Sequence, residues 1–137
     1  MRVMALDLGE KTIGVAVSDS TMLIAQGVEI IKRKSLKKDL GRLQELLQEY
    51  QVEEVVVGLP LNMNGSEGPE AQKARDFGEK IKSRLKVPVI FWDERLTTMA
   101  AERTLLDADL SRAKRKKVID KMAAVFILQN YLDRKRK

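Results

Sequence analysis

Cysteine and histidine are both absent from this 137-residue chain. Without cysteine there are no disulfides and no thiolate metal sites. Without histidine there are no histidine-based triads, imidazole ligands or imidazole bases. Hydrolytic chemistry would have to run on carboxylates, metal-bound water, lysines or hydroxyls. Aromatics are few (Tyr50, Phe77, Phe91, Trp92, Phe126 and Tyr131), so platforms for stacking single-stranded bases are poorly supplied. No apolar run approaches the roughly 20 residues needed to span a bilayer. The N-terminus enters a strand pattern directly, with nothing resembling a signal peptide. These absences lead us to expect a cytoplasmic protein with no membrane partner, built as a single domain over residues 1–137.

Positive charge is plentiful. Lysine and arginine total 26 against 20 acids, a net charge of +6 that favours a polyanionic partner. Arg112, Lys114, Arg115, Lys116 and Lys117 form one cluster, and Arg134 to Lys137 close the chain. Backbone contact by such side chains suits a nucleic acid, although a charge run also serves as an ordinary solvated face.

Patterning predicts a mixed α/β sheet. Val3 to Gly9 reads as a buried strand, apolar except for Asp7, and Thr12 to Asp19 as its hairpin partner. A third strand follows over Gly27 to Lys32, with Val28 and Ile30 on one face. Ser35 is a plausible N-cap for a helix through Tyr50, with Leu36, Leu40, Leu43, Leu46 and Leu47 at helical spacing. Glu54 to Gly58 is a short strand buried on both faces, followed by a turn-rich loop from Leu59 to Gly68. Pro69 opens a helix to about Leu85. Val87 to Trp92 forms a further buried strand ending in Asp93-Glu94-Arg95. Thr97 or Thr98 caps a helix through about Ala108, and Ser111 caps a last helix to about Leu132. Three strands in a meander and two reached through helices give an antiparallel half and a parallel half.

The acids carry the chemistry. A carboxylate in a buried strand is costly unless paired, hydrogen-bonded or bound to metal, and Gly9 leaves room for a ligand near Asp7. Asp93 and Glu94 stand where the last strand ends. Asp120 shares a helix face with Ala123, Ala124 and Ile127, so it should point inward. Three carboxylates from distant segments suit hard cations, and two Mg²⁺ or Mn²⁺ ions roughly 3.5–4 Å apart would hold both the attacking and leaving oxygens of a phosphodiester. The plainer alternatives are a hydrogen-bonded Asp7, an Asp93 or Glu94 paired with Arg95 or capping a helix, and an Asp120 paired with Lys116 or Lys117. Asp19 reads as a turn acid.

Asp7-Leu8-Gly9-Glu10-Lys11-Thr12-Ile13-Gly14-Val15-Ala16 with Ser18-Asp19 resembles the opening signature of the YqgF/RuvX family. Val57-Gly58-Leu59-Pro60 leading to Asn64-Gly65, Asp93-Glu94-Arg95-Leu96-Thr97-Thr98, and Asp120 followed by Ala123, Ala124, Ile127, Leu128, Tyr131 and Leu132 resemble its later blocks, in family order. Thr12 stands where that family often has Arg. The resemblance implies a ribonuclease H-like fold, a mixed five-stranded sheet flanked by helices, related to the Holliday junction resolvase RuvC. It also implies a nuclease, a hydrolase of phosphodiester bonds, that matures the 5′ end of pre-16S ribosomal RNA with Mg²⁺ or Mn²⁺. By that likeness Asp7, Glu94 and Asp120 are the catalytic, metal-binding acids. Related nucleases place an acid at the end of the fourth strand, where this chain has Gly58-Leu59-Pro60, so Glu94 would serve from the neighbouring strand end.

The leading expectation is therefore metal-dependent hydrolysis of structured RNA, such as pre-rRNA in the ribosome, with Arg95, Arg112, Lys114, Arg115, Lys116 and Lys117 holding the backbone. The Leu59 to Gly68 loop either offers amides to a phosphate or is an ordinary connection. The first alternative is a resolvase acting on a branched DNA junction, which needs a homodimer where the RNA nuclease can be a monomer. A second is a non-catalytic RNA-binding factor in ribosome assembly. The Asp-x-Gly strand also suggests sugar-kinase-like ATPases, but those enclose a nucleotide between two such domains and the chain is too short for that.

Overall fold

A computed structural model describes residues 1–96 and 111–135, with only the backbone considered over 115–121. Five strands, β1 (Arg2–Leu8), β2 (Thr12–Ser18), β3 (Ala25–Lys32), β4 (Val52–Leu59) and β5 (Val89–Asp93), form one sheet in the order β3-β2-β1-β4-β5. The β1–β2 and β2–β3 pairs are antiparallel; β1–β4 and β4–β5 are parallel. Among the described residues the long helices are α1 (Leu36–Glu49), α2 (Pro69–Leu85) and α3 (Arg112–Lys135). Among the described residues no helix is long and apolar enough to cross a membrane.

Local chemistry explains the boundaries. The Ser35 hydroxyl accepts from the Lys38 amide at the start of α1, Pro69 occupies the first turn of α2, and the Ser111 hydroxyl accepts from the Lys114 amide at the start of α3. The expected helix from Thr97 or Thr98 to Ala108 lies outside the described residues. Met122, at φ −112° and ψ 19°, kinks α3 just before Ala124 packs on the sheet.

Strand alternation divides the core in two. Met4 and Leu6 of β1, Ile13, Val15 and Val17 of β2, and Val55 and Val57 of β4 face α1 and α2, meeting Leu40, Leu43, Leu46, Leu47, Phe77 and Ile81. Val3, Ala5, Ala16 and Val56 face the other way, beneath Ala124, Ile127, Leu128, Tyr131 and Leu132 of α3.

Two expectations need correcting. In β3, Val15 pairs with Glu29 but Ala16 pairs with Gly27, so a bulge skips Val28. The extra residue reverses the alternation: Ile31 is buried, Val28 packs on the same core, and Ile30 is 53% exposed. Val28 and Ile30 therefore do not share a face. β5 is half-buried along its length rather than buried, because it stands at the edge of the sheet.

Candidate active site

Val3, Ala5 and Asp7 alternate onto the α3 face, so the pattern that buries two small apolar residues also turns the carboxylate toward that helix. Asp7 pairs across the hairpin with Gly14. A Cβ placed on Gly14 would lie 3.6 Å from both the Asp7 Cβ and the Ala124 Cβ, so acid, glycine and helix share one small space.

β1, β4 and β5 are parallel, which brings their C-terminal ends to the same side of the molecule. Glu94 follows the last residue of β5. Its side chain crosses above β4 and shares a hydrogen bond with Asp7. Gly58 makes the crossing possible: a Cβ at that position would collide with Glu94 Oε1 and come within 2.6 Å of Ile127 Cδ1. The residue read from sequence as the place of a missing acid is thus the space through which the neighbouring strand delivers one.

Burial, followed by the nearby Asp7 charge, pushes the Glu94 carboxyl up to about 8. Two like charges within hydrogen-bonding distance in a half-buried setting hold a proton between them. Asp93 behaves oppositely. Its carboxylate accepts from the Arg95 backbone amide at 2.9 Å and from Arg95 Nη2 at 2.8 Å, and that guanidinium holds it below the usual carboxylate range. Of the two adjacent acids, Glu94 meets Asp7 and Asp93 pairs with Arg95.

Arg95 also donates from Nη1 to the Met63 carbonyl at 3.1 Å, tying the end of β5 to the 60–68 loop. That loop is internally bonded. The Leu61 and Gly65 amides donate to the Leu59 and Asn62 carbonyls, the Asn62 amide to the Ser66 carbonyl, and the Ser66 amide to Asn64 Oδ1. Gly65 at φ +88° supplies the left-handed turn that closes it. The Asp93–Arg95 pair is one of the alternatives the sequence offers; the clamp from Arg95 to the Met63 carbonyl has no signal in it.

On the other side of β1, Arg33 Nη1 donates to the Gly9 carbonyl at 2.9 Å and Nε lies 3.7 Å from the buried Asp39 carboxylate. This fixes the turn after Asp7. Asp19 is the turn acid expected, accepting from Thr21 Oγ1 and the Leu23 and Ile24 amides. Arg112 and Lys114 are exposed. The side chains of Asp120, Arg115, Lys116 and Lys117 lie outside the described residues, although position 120 falls within α3. Among the described residues no group of three or more acids gathers as a metal site. The Asp7–Glu94 pair nonetheless has the right chemistry for a hard cation: oxygen donors only, with a shared proton where a cation would otherwise balance the charge.

A family model described as "RuvX: Holliday junction resolvase" matches residues 1–134. A relative from Caldanaerobacter subterraneus subsp. tengcongensis is 59% identical over 134 residues, covering 97% of this chain and 96% of the relative. Another, from Syntrophomonas wolfei subsp. wolfei, is 61% identical over 133 residues, covering 97% and 94%. Both carry the name "Putative pre-16S rRNA nuclease". The solved structure of T. thermophilus RuvC with a Holliday junction substrate is similar at a TM-score of 0.58 and 20% identity, over 99% of this chain and 96% of that one. That likeness supports the fold, and the ribonuclease H-like architecture expected from sequence is the one observed. With its full set of sequence blocks and a family match running nearly end to end, the chain belongs to the RuvX family.

Proposed function

We propose that this protein is a cytoplasmic, divalent-metal-dependent endonuclease that processes the 5′ end of pre-16S rRNA. The meeting of Asp7 and Glu94 at one end of the sheet carries this reading, and the name of the relatives supports the choice of substrate. Asp7, Glu94 and Asp120 would hold Mg²⁺ or Mn²⁺. When bound, such ions supply Lewis-acid activation of the scissile phosphate and of water. Asp7 presents its carboxylate from a central strand, Glu94 approaches over Gly58 and holds the proton they share, and together their oxygens would hold a divalent cation. Arg112, Lys114, Arg115, Lys116 and Lys117 hold the substrate backbone. Arg95 orders the 60–68 loop beside the site, with its half-exposed guanidinium still within reach of a phosphate.

The test compares wild type with Asp7→Asn on a precursor rRNA fragment and on a four-way DNA junction, with Mn²⁺ or with EDTA. We expect metal-dependent cutting of the RNA, reduced on the order of 1000-fold or more in the variant. Cutting of the junction alone would favour the resolvase reading, to which the family model's description points. Binding without cutting of either substrate would sink the enzyme reading.

A further inference from the structure

A second basic surface lies at the same sheet end as Asp7 and Glu94, around the β1–β2 turn, the end of β3 and the start of α1. β1 ends at Leu8, β2 begins at Thr12 and β3 ends at Lys32, with Thr12 and Lys32 paired in register. The Arg33 amide donates to the Lys11 carbonyl at 2.9 Å, closing this end of the sheet. Lys11, Lys32, Lys34, Lys37 and Lys38 are all exposed around it.

The neighbouring charges are already balanced. Arg33 is held by Asp39 and the Gly9 carbonyl, with its guanidinium 5.6 Å from the Phe77 ring centre. Glu29 is held by Arg42 at 2.6 Å, and Glu70 by Lys73 at 3.3 Å. Among the described residues none of the five lysines lies within 4.0 Å of a carboxylate oxygen. Glu10, in the turn itself, is the exposed acid set among them. Five like charges crowded this way repel one another and gain nothing from the fold. A polyanion laid across the sheet end would relieve that repulsion.

We propose that Lys11, Lys32, Lys34, Lys37 and Lys38, around the β1–β2 turn, the end of β3 and the start of α1, form a second arm that grips the phosphate backbone of the nucleic-acid substrate. The inference rests on the nuclease reading and extends it. From Ala124 to Tyr131, α3 runs across the sheet away from this end, since Ala124 packs at Gly14 and Tyr131 donates to Glu54 near the start of β4. The lysine arm lies around the turns at the sheet end where β1 delivers Asp7, beside the layer that α3 forms over Gly14. Lysine ammonium groups are point charges, so this arm sets affinity and register without reading sequence.

The test removes equal charge at opposite ends of the sheet. Lys34→Gln/Lys37→Gln/Lys38→Gln is compared with Lys80→Gln/Lys82→Gln/Lys86→Gln, whose lysines are exposed near the far end of α2. Binding of a fluorescein-labelled RNA duplex of about 20 base pairs is followed by anisotropy in EDTA across about 50–200 mM KCl. The first variant should bind on the order of tenfold more weakly at about 100 mM salt, with its log–log salt slope reduced by about 2–3; the second should match wild type. A DNA duplex should show the same change in slope, and a change confined to RNA overturns a point-charge contact. Equal losses in both variants overturn the arm while leaving a cutting wild type as a nuclease. A wild type that neither binds nor cuts overturns both readings. Melting temperatures confirm that both variants are folded.

Discussion

The two faces of the sheet are packed by different rules. Toward α1 and α2 the residues are large and aliphatic, and Leu43, Leu46, Met4 and Leu6 are at most 1% exposed. Toward α3 the sheet offers Ala5, Ala16, Gly14 and Gly58, with Asp7 and Glu94 where that layer reaches the sheet end. One face is filled by large aliphatic side chains; the other also buries Val3 and Val56, but has Ala5, Gly14, Ala16 and Gly58 where a helix and two carboxylates approach the strands closely. Stability and chemistry are thus separated by the alternation of side chains along the same strands.

Breaking the aliphatic face should cost most. Leu43→Ala is expected to destabilise the fold by about 2–5 kcal/mol, since a fully buried leucine leaves a cavity the core closes only in part. Denaturant unfolding measures the loss, and the Asp7–Glu94 contact should persist in the variant's crystal structure.

The carboxylate face should reveal itself by pH. In the metal-free fold Glu94 keeps its proton up to about pH 8, against an ordinary value of 4.5. Between those values the folded state binds more protons than the unfolded one. Stability should therefore fall as pH rises from about 4.5 to about 8, by an amount on the order of a few kcal/mol. Glu94→Gln should flatten this dependence in melting curves recorded with EDTA. An unchanged slope would mean that Glu94 is not the group responsible.

Gly58→Ala probes the space between the faces. The added methyl must displace Glu94 or Ile127, at a cost of about 1–3 kcal/mol. A crystal structure should show Glu94 turned away from Asp7, and adding Ile127→Val should recover stability without restoring the contact. The smallest effect belongs to the clamp. Arg95→Ala should barely move the melting temperature, because the Arg95 ion pair is partly exposed and screened by solvent. Amide exchange in the 60–68 loop should rise, with exchange in β4 unchanged.

Local signals made most of the fold legible. Ser35, Pro69 and Ser111 mark helix starts through single capping or first-turn interactions, and the leucines of α1 have a period that only a one-sided helix explains. The β3 register was not legible, because a bulge inserts a residue without changing composition. Nor did an apolar run reveal whether β5 lay inside the sheet or at its edge, since position depends on strand order. Asp7 stood out because an acid in an apolar strand is expensive. The division of labour between Asp93 and Glu94 followed only in part from alternation.

The sequence by itself determined which residues could do chemistry, by excluding cysteine and histidine and placing an acid in a buried strand. It also determined the order of strands and helices, because periodicity and caps act over a few residues. Tertiary structure alone decided that Gly58 makes way for Glu94, that Arg95 ties down a loop 32 residues earlier in the chain, and that the Arg33 amide ties the end of β3 to the β1–β2 turn. Those facts depend on which strand ends become neighbours. Parallel pairing brings together segments that share no local signal in the chain.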